Sequence, residues 1–325
     1  MTYTLGKKVG HASPVRTAAL VVFLGALLAV GLKAQQHQPD RLTFRTGVEM
    51  VTINAVVRDH KGRIVPNLTR ADFQLFDNGR PQQIADFRSD QAPITVALLF
   101  DTSGSMQVAL KQQAARAAAD QFMSWLQPGK DEVGVFSFDS GLRELQPFTP
   151  DGERVRASVS HVEEPFGMTS LRDAIAETAR RVAARGGSHR AVVVLTDGVD
   201  NNSRLTPAEV SGIASAIDVP IYVLAVVSPL DHVGEPSSVV DAKTPPTGEL
   251  VDLAQWTGGD MFMSSSPAQS SVAARQIVSE LRFQYLIAFQ PGAKPGWHPL
   301  EVRLRDQRLT VRARGGYFAG PSSGS

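Results

Sequence analysis

Four short, almost uninterrupted apolar runs constrain this chain more than any other feature. They occupy residues 94–100, 133–138, 191–195 and 221–227. A strand with one wet face alternates apolar and polar residues, whereas a continuous run requires burial on both faces, the situation of a parallel sheet between helix layers. Segments with helical spacing lie between the runs: Leu110, Ala114, Ala117, Phe122 and Trp125, then Leu171, Ile175, Thr178 and Val182. Alternation of this kind predicts an α/β fold over residues 93–283, a doubly wound, mainly parallel, Rossmann-like sheet flanked by helices. No repeat of 20 to 50 residues runs through the chain, which excludes solenoids and propellers.

On either side of this region the pattern changes to that of strands. Val51, Ile53, Ala55 and Val57 alternate with polar residues, and Phe73 and Leu75 precede an Asp77-Asn78-Gly79 turn that Ile84 and Phe87 follow. Past Glu280, residues 284–289, then Leu300, Val302 and Leu304, then Leu309 and Val311 repeat the pattern. Neither flank holds enough strands to be stable alone, so residues 41–90 and 284–318 are expected to pair into one small β-domain, with the α/β region inserted in it. Residues 319–325 read as a disordered tail. Residues 228–248, rich in proline and small polar residues, form a long loop leaving a strand's carboxyl end. Two readings of it stay open, a shaper of partner choice and a disordered insertion.

Lys and Arg number 33 against 32 Asp and Glu, so no global field favours nucleic acid or an acidic membrane. Lys7, Lys8 and Arg16 precede an apolar run of 15 residues, 18–32, and a polar stretch, which reads as an export signal over residues 1–34. The run is shorter than the roughly 20 residues of a spanning helix, which favours a cleaved signal peptide. Leu32, two positions before the cleavage candidate Ala34, keeps an uncleaved anchor open, and that anchor would be the chain's membrane contact. The expected location is secreted or in the periplasm and cell envelope. With no cysteine, the fold must rely on its core or on a metal.

The chemistry lies at the strand ends. Asp101-Thr102-Ser103-Gly104-Ser105 follows the first apolar run directly, placing a carboxylate and two alternate hydroxyls in the crevice where open α/β sheets bind ligands. Gly104 is expected to let the backbone turn tightly enough for both serines to face inward. A second loop, Gly167-Met168-Thr169-Ser170-Leu171, precedes a helix, and a third, Thr196-Asp197-Gly198, follows a strand. Oxygen ligands of this type suit a hard cation, Mg²⁺ or Mn²⁺, before zinc. Taken singly, Asp101 and Ser105 could cap a helix starting near Met106, and Asp197 a turn before Thr206-Pro207. Asp200, Asn201 and Asn202 read as a polar loop, and Asp139 and Asp173 as solvated or capping acids.

Asp-x-Ser-x-Ser, a Thr in Gly-x-Thr-Ser-Leu and an Asp in Thr-Asp-Gly, in this order, resemble the metal-ion-dependent adhesion site of von Willebrand factor type A domains. The flanks, with Leu68-Thr69-Arg70-Ala71-Asp72-Phe73 and Ala313-Arg314-Gly315-Gly316-Tyr317, are similar to bacterial VWFA-related domain proteins common in acidobacteria. The resemblance implies that Asp101, Ser103, Ser105, Thr169 and Asp197 bind the cation. Ser103, Ser105 and Thr169 would do so by their hydroxyls, and Asp101 and Asp197 directly or through water. One position is then left for an Asp or Glu carboxylate of a protein partner.

Other chemistries lack their parts. The seven histidines form no His-x-x-x-His pair, and neither Gly-x-Ser-x-Gly nor a phosphate-cradling Gly-x-x-x-x-Gly-Lys loop occurs. Arg303, Arg305, Arg308, Arg312 and Arg314 read as a solvated basic strand edge rather than a nucleic-acid surface. A hydrolase needs a base beside its metal, and the loops offer only Asp101 and Asp197. The expectation is therefore an exported, non-enzymatic, metal-dependent protein-binding module. The alternatives are an envelope scaffold with a structural metal and, behind it, a metal-dependent hydrolase.

Overall fold

The fourteen strands among the described residues sort into three sheets, of which the largest carries the apolar runs, and six α-helices accompany them. A computed structural model describes residues 50–89, 91–226, 250–292 and 294–319. All belong to one unit, Gly47–Ser325. The expected export signal, the 228–248 loop and all but the first residue of the expected tail lie outside the described residues.

In chain order the elements are β1 (Val51–Arg58), β2 (Phe73–Asp77), β3 (Arg80–Gln82), β4 (Asp86–Arg88), β5 (Thr95–Asp101), α1 (Lys111–Ser124), β6 (Glu132–Phe138) and β7 (Leu142–Thr149). There follow α2 (Gly152–Ser160), α3 (Leu171–Ala183), β8 (Arg190–Thr196), α4 (Pro207–Ala216), β9 (Ile221–Val226), α5 (Leu250–Trp256), β10 (Met261–Ser264) and α6 (Pro267–Arg282). The last four are β11 (Tyr285–Phe289), β12 (Gly296–Leu304), β13 (Thr310–Ala313) and β14 (Gly316–Ala319).

The six-stranded sheet runs β10-β9-β8-β5-β6-β7, parallel except for the antiparallel edge strand β7. Its interior strands divide their side chains between two cores, as the unbroken apolar runs require. Val96, Leu98 and Phe100 of β5 pack with α1, α2 and α6 on one face, while Ala97 and Leu99 pack with α3, α4 and α5 on the other. Each fully buried Val, Leu or Phe of these strands contributes about 1.5–3 kcal/mol. From β5 the chain passes to β6 on one side, and it later returns to β8 on the other. The carboxyl ends of β5 and β8 are therefore a switch point, where the connecting loops diverge and leave a crevice.

The flanks form two four-stranded antiparallel sheets, β13-β1-β11-β4 and β14-β12-β2-β3, each combining strands from before and after the α/β layer. Ile53, Ala55, Val57, Phe73, Leu75, Tyr285, Ile287 and Phe289 fill the core between them. The period-two burial of β2 is thus the signature of a strand covered on one side by a facing sheet, whereas β1 is buried on both faces from Ile53 to Val57, with Asn54 on its second face donating to Asp218. Among the described residues, no helix is long and apolar enough to cross a membrane.

Two expectations are corrected. The helix after the first apolar run begins at Lys111, not near Met106: a 3₁₀ stretch, Gly104–Leu110, comes first and breaks at Val108 and Ala109. Of the residues counted in that helix's apolar spacing, Leu110, Ala114, Ala117 and Trp125 are exposed and only Phe122 is buried; the face turned to the core is Ala115, Ala118, Ala119, Phe122 and Met123. The C-terminal arginines do not form one solvated edge. Arg303, Arg305 and Arg308 bond exposed partners, but Arg314 is buried and donates to the carbonyls of Ser215 and Thr52. Arg312 reaches Asp260 and Glu280. Acids from other elements turn these side chains inward.

Glu280, fully buried near the end of α6, gathers Arg58 of β1, Arg312 of β13 and the Tyr222 hydroxyl of β9, the last at 3.0 Å. This network joins the α/β layer to a flanking sheet. Removing the acid would leave two guanidinium groups without their central partner, at a cost of about 3–5 kcal/mol. Glu280→Ala is therefore expected to lower the urea midpoint sharply, and a loss below ~1 kcal/mol would show that the network is incidental.

Candidate metal site on three converging loops

The end of β5 presents Asp101, which is fully buried. One carboxylate oxygen, Oδ1, accepts the Ser103 amide at 2.9 Å, and the other, Oδ2, accepts the Thr196 hydroxyl at 2.6 Å. Since Thr196 ends β8, that contact closes the switch point from both sides. Ser103 Oγ lies 3.1 Å from Ser105 Oγ, and Ser105 Oγ donates to Asp197 Oδ1 at 3.2 Å. Asp197 Oδ2 accepts from Lys111 Nζ at 3.1 Å, with both side chains largely buried. Asp101, Ser103, Ser105 and Asp197 are thus joined by contacts of hydrogen-bond length.

Thr169 stands on the adjoining loop, held by its backbone. Its amide donates to Asn201 Oδ1 at 2.9 Å, and its carbonyl accepts from the amides of Asn201 and Asn202 at 3.1 and 2.9 Å. The first two loops are tied in the same manner, Phe166 N to Thr102 O at 2.8 Å and Gly104 N to Gly167 O at 3.1 Å. Asp200 accepts the Arg172 amide at 3.0 Å, which joins the third loop to the start of α3. The polar stretch Asp200–Asn202, read from the sequence as loop filler, is a set of loop braces.

Ser103 and Ser105 do face the same side, and Gly104 between them allows this without a positive φ. The positive-φ positions here are Gly167 at 92° and Gly198 at 87°. A Cβ on Gly104 would meet the Gly167 carbonyl oxygen at 3.4 Å, an ordinary contact distance. The capping alternative holds in part: Asp197 Oδ1 accepts the Val199 amide at 3.4 Å and Asp101 Oδ1 that of Ser103, but neither Asp101 nor Ser105 caps a helix. Leu110 precedes α1 without a side-chain cap, and Thr206 caps α4 by accepting the Glu209 amide.

Residues 96–199 match the family profile of the von Willebrand factor type A domain, a span that starts inside β5 and includes all five candidate ligands. This chain carries a von Willebrand factor type A domain. Among solved structures, it is similar to the conserved hypothetical protein BatB of Bacteroides thetaiotaomicron, at 22% identity over 58% of this chain and 98% of that one, with a TM-score of 0.44. The von Willebrand factor type A protein of Catenulispora acidiphila is 15% identical over 78% of this chain and 74% of its own, with a TM-score of 0.46. An aerotolerance-related membrane protein of Bacteroides fragilis is 21% identical over 58% of this chain and 98% of its own, with a TM-score of 0.45. No curated protein sequence matches the chain.

The donor set of this von Willebrand domain is all oxygen, two carboxylates and three hydroxyls. No group of three or more His, Cys, Asp or Glu clusters among the described residues, so a cation here would have to be held partly by hydroxyls. That chemistry fits a hard divalent ion of the Mg²⁺ or Mn²⁺ type. Lys111 and Thr196 escaped sequence reasoning: Lys111 meets Asp197 across 86 positions, and a threonine inside Thr-Asp-Gly looks like part of the turn.

Burial pushes the Asp101 carboxyl up to about 6, against the opposing bonds from Ser103 and Thr196, and the Asp197 charge adds to the rise. An acid raised in the folded state stabilises the fold fully only below its unfolded value near 4, and that contribution disappears as pH climbs through about 6. Metal-stripped protein is therefore expected to lose stability between about pH 4 and pH 6.5, and Asp101→Asn to flatten that slope, measured by urea midpoints. An unchanged slope in the variant would contradict the assignment.

Proposed function

We propose that this chain is an exported protein-binding module in which Asp101, Ser103, Ser105, Thr169 and Asp197 hold Mg²⁺ or Mn²⁺ and leave one position to an Asp or Glu of the partner. The observation that supports the reading is the chain of contacts joining Asp101, Ser103, Ser105 and Asp197 across two loops, with Thr169 on a third loop that is braced to them through its backbone. When bound, the cation supplies an electrophilic centre that a carboxylate can complete. The chain's residues do the rest: Thr196 orients Asp101, Ser105 and Lys111 orient Asp197, and the loop braces keep the serines in place. The domain type supports a role in protein interaction, and the sequence of residues 1–34 supports export to the envelope or beyond.

Binding is favoured over hydrolysis because both carboxylates in the cluster are engaged, Asp101 with Thr196 and Ser103, and Asp197 with Ser105 and Lys111. No third carboxylate stands beside them among the described residues to act as a base.

Calorimetric titration of Mg²⁺ and Mn²⁺ into metal-stripped protein tests the reading. Saturable binding is expected, with a loss of at least about tenfold in Ser103→Ala, Ser105→Ala. Lys111→Met, which removes a competing ammonium from Asp197, is expected to tighten binding. Equal titrations of wild type and double variant would overturn the assignment. A chelator that lowers the protein's stability yet spares partner capture would favour the scaffold.

A further inference from the structure

Ten large apolar side chains are exposed among the described residues, and five of them stand on the three loops of the candidate site. Val108 and Leu110 follow the serines, at 60% and 69% exposure; Phe166 and Met168 precede Thr169, at 81% and 50%; Val199 follows Asp197, at 43%. Exposed apolar residues scattered singly need no explanation, but a group drawn from separate segments around one polar site does.

The backbone reinforces the point. Ala109 and Leu110 are consecutive non-glycine residues in the left-handed region, with φ of 53° and 60°. That conformation costs free energy for any residue with a Cβ, and here it accompanies an apolar side chain in water. The loops are also fixed relative to one another, since Gly104 N bonds Gly167 O and Gln112 Nε2 bonds Glu163 O, at 3.1 Å each. The apolar side chains therefore stand on loops that are braced to one another.

Charge specifies what such a rim would surround. Asp101 and Asp197 against Lys111 leave one net negative charge, which a bound divalent cation turns into one net positive charge. A single incoming carboxylate neutralises it, and a second would not be compensated. We infer that Val108, Leu110, Phe166, Met168 and Val199 form an apolar collar whose ligand is a protein segment presenting one Asp or Glu flanked by apolar side chains. The inference rests on the carboxylate reading above and adds a selection rule to it. The acid gives metal dependence, and its apolar neighbours give preference over the many exposed acids of other proteins.

The test uses the whole protein and three fluorescein-labelled peptides followed by anisotropy: Gly-Ser-Leu-Phe-Asp-Leu-Ser-Gly, the same peptide with its three apolar residues replaced by Gly, and the same peptide with Asn for Asp. In Mg²⁺ the first is expected to bind at least about tenfold tighter than the second. That advantage should vanish in Phe166→Ser, Leu110→Ser, and the first peptide should be released by chelator. A Mg²⁺ titration of that variant reports whether its site is intact, and the peptide ranking on the parent protein decides the matter even if it is not.

Equal binding of both Asp peptides in Mg²⁺ would overturn the collar and spare the carboxylate reading. Equal binding of the Asp and Asn peptides, with or without Mg²⁺, would overturn the inference through its premise. Failure of all three to bind at about 1 mM would overturn it outright. Sedimentation showing a dimer that the double variant dissolves would assign the collar to a second copy of this chain instead.

Discussion

The hydrogen bond between Thr196 and the buried Asp101 carboxylate holds the rest of the site in place, because it joins the ends of two adjacent parallel strands at the point where their loops diverge. A carboxylate with no exposure is costly to keep charged, and the fold tolerates it by aiming a hydroxyl and a backbone amide at its two oxygens. The geometry follows from the sheet. With β5 between β6 and β8, and helices on both faces, the sheet leaves a crevice at the carboxyl ends of these strands.

From that contact the site grows outward by short bonds. Ser103 and Ser105 alternate along one loop, so both hydroxyls fall on the same side, and Asp197 closes the line from the third loop. Lys111, at the first turn of α1, balances Asp197 because the preceding 3₁₀ stretch delays the helix and brings that side chain beneath the loops. The delay also places Leu110 in solvent. One local irregularity thus accounts for the buried ammonium and for part of the apolar rim.

Much of this was legible in the sequence. Burial on both faces is written into composition, so β5, β6, β8 and β9 stand out as apolar runs, and the order Asp101, Ser103, Ser105, Thr169, Asp197 marks the crevice. What escaped is set by partners far away in the chain. β7 is half-buried along its length and contains Pro147, and β10 is four residues long, so neither carries a clear period. Arg312 and Arg314 look solvated until Glu280, Asp260 and Asp218 arrive from other elements. Lys111 gives no signal at all, since a lysine opening a helix is ordinarily a surface residue.

The most direct test of the central claim, that three loops converge to hold a divalent cation, is anomalous diffraction from a crystal of the protein grown with Mn²⁺. The account predicts a manganese peak in the crevice, with the Ser103 and Ser105 hydroxyls within coordination distance and Asp101 and Asp197 bonded to it directly or through water. A structure in which manganese binds elsewhere, while Lys111 and Ser105 keep their bonds to Asp197, would contradict it.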